Sequence, residues 1–104
     1  GGGVYAASKA ALVQLTRVLA VELAARNVLV NALAPSTVDT PMSRAASSTA
    51  QAGYKLSGTS PLGRIATLAD ISAAVSFLLS REAGFITGTV LPIDGGTTAA
   101  YDPR

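Results

Sequence analysis

Arg26-Asn27-Val28-Leu29-Val30-Asn31-Ala32-Leu33-Ala34-Pro35-Ser36 organises everything around it in this chain. Arg26-Asn27 reads as a helix end, because Asn accepts the left-handed cap conformation and Arg suits the negative end of the helix dipole. Residues 28–33 follow as an apolar run without alternation. Short, partly β-branched and apolar on both faces, the run reads as a buried parallel strand. Ala34-Pro35-Ser36 stops it at its C-terminal end, where open α/β sheets place their ligands.

Upstream, residues 4–25 are rich in Ala and Leu and contain no Pro or Gly, which predicts one long helix. Lys9, Gln14, Thr16, Arg17 and Glu22 are among its few polar residues. A helix apolar nearly all round is buried on more than one side. A chain of 104 residues lacks the material for that, so two strands and two helices are expected to leave most of this helix and both faces of the strand uncovered. A sheet on one face and another helix, as from a second subunit, on the other is what would cover it.

Downstream, residues 36–66 hold Pro41, Gly53, Gly58, Pro61 and Gly63. Connections beyond ~12–15 residues are uncommon in compact domains and often form lids. A mobile substrate lid is the expectation here, with a plain flexible connection as the alternative. Thr67-x-x-Asp70 then opens a second helix with a capping arrangement. Ile71, Ala74, Val75, Leu78 and Leu79 recur at helical spacing, so one face should pack on the sheet. Thr89-Val90-Leu91-Pro92-Ile93 reads as a short edge strand, since Pro92 cannot donate to a ladder. Asp94-Gly95-Gly96 reads as a tight turn carrying no metal, with a polar tail after it. Helix, strand, long loop, helix, strand is the order of the second portion of a βαβ-type domain, and the class is α/β.

Composition removes most other chemistries. The 104 residues carry a net charge of +2, and only 13% are charged. The basic residues are scattered, which gives no footprint for nucleic acid or an anionic membrane. Although 49% of residues are apolar, no uninterrupted run reaches the ~18 that a bilayer span needs. There is no signal-peptide pattern, and a cytoplasmic setting without membrane partners is expected. With no Cys and no His, disulfides, thiolate nucleophiles, zinc sites and imidazole bases drop out. Tyr, Lys, Ser and Thr remain.

Among these, Tyr5 and Lys9 stand out. In Val4-Tyr5-Ala6-Ala7-Ser8-Lys9-Ala10 they lie four residues apart, on one helix face and one turn from each other. A phenol is a poor base at neutral pH, and a neighbouring ammonium favours its ionised form. Such a pair can move a proton to or from an alcohol oxygen. The bland reading is a packed Tyr beside a solvated Lys. Ser8 reads as a helix-packing residue with no base in reach, and Asn31 as a buried structural amide tying strand to loop.

The surrounding motifs change that balance. Tyr5-Ala6-Ala7-Ser8-Lys9 resembles the Tyr-x-x-x-Lys signature of the short-chain dehydrogenase/reductase family. The similarity continues through Val30-Asn31-Ala32-Leu33-Ala34-Pro35, Thr40-Pro41-Met42, Pro61-Leu62-Gly63-Arg64, Asp70-Ile71, Ile86-Thr87-Gly88 and Asp94-Gly95-Gly96, all in order. Several motifs in register are far more specific than any one. One position departs from the pattern: the family usually has Gly after the strand-ending Pro, where this chain has Ser36.

The resemblance implies a Rossmann-like, doubly wound parallel sheet and an enzyme using NAD or NADP to interconvert a ketone and a secondary alcohol. Tyr5 would give and take the oxygen's proton, while Lys9 would steady the phenolate and hydrogen-bond the nicotinamide ribose. Pro35, Ser36, Val38 and Thr40 would line the nicotinamide pocket, residues 41–58 would form the substrate lid, and the enzyme would be a dimer or tetramer. A 3-oxoacyl-carrier-protein reductase is the specific expectation, the Tyr-to-Lys spacing arguing against the enoyl-reductase branch. The family's Gly-rich dinucleotide loop, Asn-Ala-Gly segment and catalytic Ser precede the signature. Residues 1–104 are therefore expected to be the C-terminal part of a single domain, Gly1-Gly2-Gly3 lacking the strand and spacing of a dinucleotide loop. The competing expectation is a fragment with no activity of its own, serving at most as an assembly surface.

Overall fold

The computed structural model describes residues 2–36, 38 and 60–100. The chain divides into two compact units, Gly1–Leu33 with Phe77–Leu91 and Ala34–Ser76 with Pro92–Arg104. Among the described residues three α-helices and two strands are formed: α1 Gly2–Leu23, β1 Ala32–Pro35, α2 Leu68–Leu78, β2 Val90–Ile93 and α3 Thr97–Ala100. β1 and β2 pair into a two-stranded sheet. The fold is α/β, as the order of elements implies. The lid expected over residues 41–58 lies outside the described residues.

In the first unit, α1 runs on into a single 3-10 turn, Ala24–Arg26, and ends at Asn27 with φ 59°. The left-handed cap therefore falls on the residue whose short amide tolerates it. Gly2 and Gly3 are part of α1. Among the described residues α1 is mostly uncovered, as expected of a chain of this length. Only Thr16 and Ala20 are buried on it, while Val4 and Val21 are 75% and 79% exposed. The two short strands among the described residues are too narrow to cover a 22-residue helix. By length and mean hydropathy, 1.2 over its best window, Gly2–Arg26 could cross a bilayer. However, Lys9, Arg17 and Glu22 point to different sides of it, a distribution that lipid would penalise.

The same unit shows how small residues bring backbone close. Gly88 has φ +77°, and a Cβ there would stand 3.3 Å from the Ala20 Cβ. Its N–H donates to the Val30 carbonyl at 2.7 Å. Asn31 ties the neighbouring turn down: its Nδ2 donates to the Ile86 carbonyl, and its Oδ1 accepts the Thr89 N–H, both at 3.1 Å. Each such bond nets about 0.5–1.5 kcal/mol, and Asn31 is the structural amide the sequence suggested.

The first strand differs from expectation in register. Residues 28–33 were the expected strand, but β1 begins at Ala32 and runs through Pro35. The cause is hydrogen bonding, not hydrophobicity: the Val30 N–H goes to the Thr87 hydroxyl instead of a ladder carbonyl. Ala32 donates to Thr89 O and Ser36 to Ile93 O. Alternation then turns the Pro35 nitrogen to the opposite side, where its missing N–H costs this ladder nothing. By the same geometry Pro92 faces away from β1, consistent with an edge strand. Nor is β1 buried, since its last two residues are exposed.

In the second unit, the Thr67-x-x-Asp70 cap forms as read. The Asp70 N–H donates to Thr67 Oγ1 at 3.2 Å, and the Thr67 N–H donates to Asp70 Oδ2 at 2.8 Å. Of the five apolar positions expected to pack from α2, Ile71, Ala74 and Leu78 are half-buried, while Leu79 is 82% exposed. The polar tail after Asp94-Gly95-Gly96 is a short helix, α3. Asp94 caps it, accepting the Gly96 N–H at 3.0 Å on Oδ1 and the Thr98 N–H at 3.0 Å on Oδ2.

Candidate active site

A continuous helix with no glycine between them sets the relation of Tyr5 to Lys9. Ala6 and Ala7 keep the turn regular, and the Ser8 hydroxyl donates back to the Val4 carbonyl at 2.9 Å. Ser8 is exposed, so the packing role expected of it is not seen; its hydroxyl serves its own helix instead. Lys9 Nζ stands 5.4 Å from the centre of the Tyr5 ring, within range of a cation–π contact worth about 0.5–1 kcal/mol at an exposed site. Both side chains are exposed, Tyr5 by 66%.

What the pair can do follows from its donors. The phenol can give or accept one proton, and the ammonium offers three N–H donors and no acceptor. Together they present a proton donor/acceptor and a fixed positive charge to whatever meets that face of α1. Vicinal hydroxyls and a carbonyl or alcohol oxygen are the chemical partners such a set fits.

The remaining expected site residues lie in the second unit, at the end of β1. Pro35 is exposed and is the last residue of the strand. Ser36 is half-buried, and its N–H donates to Ile93 O at 3.2 Å. Val38 is half-buried and forms an isolated parallel bridge with Ala66. Thr40 lies outside the described residues.

Two arrangements in this unit escaped the sequence reading. The Arg64 guanidinium makes a two-pronged ion pair with Asp70, six residues on, with a closest approach of 2.7 Å. That guanidinium and the two Thr67 donors hold the Asp70 carboxyl far below the usual carboxylate range. The Asp94 carboxyl is likewise lowered, by the Thr98 hydroxyl and then by the Thr98 and Gly96 N–H groups. A cavity of about 480 Å³ lies among Leu62, Arg64, Ile65, Asp70, Ile93 and Asp94.

A family model described as Enoyl-(Acyl carrier protein) reductase matches residues 1–98. L-xylulose reductase of Bos taurus is 42% identical over 96 residues, which are 92% of this chain and 39% of that protein. The 3-oxoacyl-[acyl-carrier-protein] reductase MabA of Mycobacterium tuberculosis (strain ATCC 25618 / H37Rv) is 42% identical over 92 residues, 88% of this chain and 36% of that one. Among solved structures, a short chain dehydrogenase family protein from Francisella tularensis superposes with TM-score 0.81 at 38% identity, covering 91% of this chain and 43% of its own. ElxO, solved with NADP bound, gives 0.79 at 30% identity, covering 91% of this chain and 39% of its own. The chain thus spans less than half the length of these relatives, and the fold it shares with them is Rossmann-like. With the Tyr5–Lys9 face, the order of motifs behind it and a match over 98 residues, the chain belongs to the short-chain dehydrogenase/reductase family of oxidoreductases.

Proposed function

We propose that residues 1–104 are the C-terminal portion of one Rossmann-type domain, in an enzyme that uses NAD or NADP to interconvert a ketone and a secondary alcohol. The observation that carries this is the phenol of Tyr5 and the ammonium of Lys9 on one exposed face of α1, one turn apart. A bound nicotinamide dinucleotide would supply or accept the hydride. Tyr5 holds the proton that the substrate oxygen takes or gives, and Lys9 keeps a positive charge beside the phenol and donates to ribose hydroxyls. Pro35, Ser36 and Val38 form one wall of the nicotinamide pocket. Substrate is a small carbonyl or alcohol compound, with a 3-oxoacyl thioester of acyl carrier protein as the specific proposal. MabA supports that choice, while the description of the family model leaves an enoyl thioester as the substrate to test against it. The enzyme is proposed to work in the cytoplasm as a homo-oligomer.

The test is a panel of 3-oxoacyl, ketose, cyclic-ketone and enoyl substrates offered to the full-length protein with NADH and NADPH, followed by dinucleotide absorbance. Oxidation of dinucleotide with a ketone is the expected result. Turnover of the enoyl substrate alone would overturn the reaction class.

A second reading is favoured by the exposure of Val4, Leu15 and Val21 along α1: the 104-residue chain alone has no reaction and offers an assembly surface. Expressed by itself, it is then expected to associate through these faces and to bind dinucleotide poorly. A cooperatively unfolding monomer that binds NADPH would contradict this reading.

A further inference from the structure

Tyr5, Lys9, Thr16 and Ala20 follow one another at intervals of four, seven and four residues, so on a 3.6-residue helix all four share one face. The two ends of that face differ. Tyr5 and Lys9 are exposed, while Thr16 and Ala20 are the buried residues of α1, 5% and 3% exposed.

Against the Ala20 end stands the turn that holds Gly88. A Cβ added at Gly88 would lie 3.3 Å from the Ala20 Cβ, closer than the roughly 3.5–4.0 Å at which two carbon atoms settle. The turn is poorly placed to yield. The Gly88 N–H donates to the Val30 carbonyl at 2.7 Å, and the Val30 N–H donates to the Thr87 hydroxyl at 3.0 Å. The Asn31 side chain holds the Ile86 carbonyl and the Thr89 N–H. Those four bonds tie the turn to residues 30 and 31, so crowding at this contact moves the helix. A helix is stiff over the ~22 Å from residue 20 to residue 5. Displacement away from the turn withdraws the shared face, and the phenol and ammonium retreat together with their own spacing kept.

We infer that Gly88 and Ala20 are positioning residues: their close contact sets how far α1 stands off residues 86–89, and so how far the Tyr5–Lys9 face reaches toward its ligand. The inference rests on the function proposed above, in which that face meets dinucleotide and substrate. Both residues act through α1, not on a ligand.

The experiment compares full-length wild type with Gly88→Ala, Ala20→Val, the double variant Gly88→Ala with Ala20→Gly, and Thr67→Ala. Single-turnover hydride transfer, thermal unfolding and crystal structures are read together. Gly88→Ala does two separable things: its methyl fills the contact, and its backbone must hold φ +77°, which L-residues resist. The double variant returns the room but keeps that strain and adds a glycine to a helix interior. In Gly88→Ala and Ala20→Val, α1 should stand farther from residues 86–89 and the rate should fall about 3- to 30-fold. In the double variant the rate should return to within about twofold of wild type while the melting temperature stays below it. Thr67→Ala removes the cap of α2 and should lower the melting temperature alone.

If the rate follows the melting temperature across the variants, or α1 keeps its place in Gly88→Ala and Ala20→Val, the inference is wrong and the proposed function stands. If wild type turns over no substrate, the proposed function is wrong, and the crystal structures still decide whether this contact sets the helix. Should Gly88→Ala fail to fold, Ala20→Val carries the comparison from an ordinary helical backbone, and an unchanged rate there overturns the inference.

Discussion

The face of α1 bearing Tyr5 and Lys9 and the turn from Ser60 to Asp70 solve opposite problems. The first holds two reactive groups and few side-chain hydrogen bonds among the described residues, the Ser8 and Thr16 hydroxyls each turned back on their own helix. The second holds no nucleophile or poised base, yet Arg64, Thr67 and Asp70 are linked by a dense set of bonds. A helix relates two side chains by its pitch alone, so the α1 pair needs no further support to stay together. A turn has no such internal ruler, and its geometry must be pinned by side chains. Side chains can be related by regular structure alone, while irregular backbone must be held by bonds of its own.

That contrast can be tested from both sides. Tyr5→Phe removes the hydroxyl and little else, and turnover by the full-length protein should fall about 10²- to 10⁴-fold. Lys9→Met should cost about 10- to 100-fold, with dinucleotide affinity falling too, because charge and ribose donor go together. Circular dichroism of α1 should not change in either. An intact rate in Lys9→Met would remove the charge from the account. On the other side, Gly95 has φ +60°, and a Cβ there would meet Ser60 Oγ at 2.7 Å. Gly95→Ala should therefore destabilise by about 1–3 kcal/mol, from crowding and a left-handed backbone, as read by chemical denaturation. A neutral effect would mean that the turn is not pinned.

The smallest effect expected is on pH dependence. Asp70 ionises far below the ordinary carboxylate value because of Arg64 and then Thr67. Its charge thus favours the folded state above about pH 4, and that gain is lost as pH falls further, when the unfolded state binds its proton first. The melting temperature should drop modestly between about pH 4 and pH 2, and Arg64→Gln should flatten the slope. An identical slope in the variant would show that the ion pair is screened to nothing.

How much of this was legible depended on whether a feature was local and periodic. Helix α1, its Asn27 stop and the Thr67–Asp70 cap each follow from residues within one turn of each other, and each formed as read. The Tyr5–Lys9 face was legible for the same reason. Strand β1 was misplaced because apolar character does not fix where a ladder starts. That is set by Thr87 and Asn31, which spend bonds of residues 30 and 31 elsewhere. Helix α3 is only four residues long, too short for periodicity, and its one signal is the Asp94 cap. The Arg64–Asp70 pair spans a turn and the start of a helix, a separation with no fixed geometry until the chain folds. The exposure of α1 was legible from its composition and the chain's length together: an apolar stripe states what a helix would cover, and two short strands cannot supply it.

The most direct test of the central claim separates binding from chemistry in Tyr5→Phe. Dinucleotide binding to the full-length protein and single-turnover reduction of a substrate that wild type accepts would be measured on the same preparation. If Tyr5 handles the substrate's proton, binding stays close to wild type while the single-turnover rate collapses. A rate that survives, or a loss of binding equal to the loss of rate, would contradict that role.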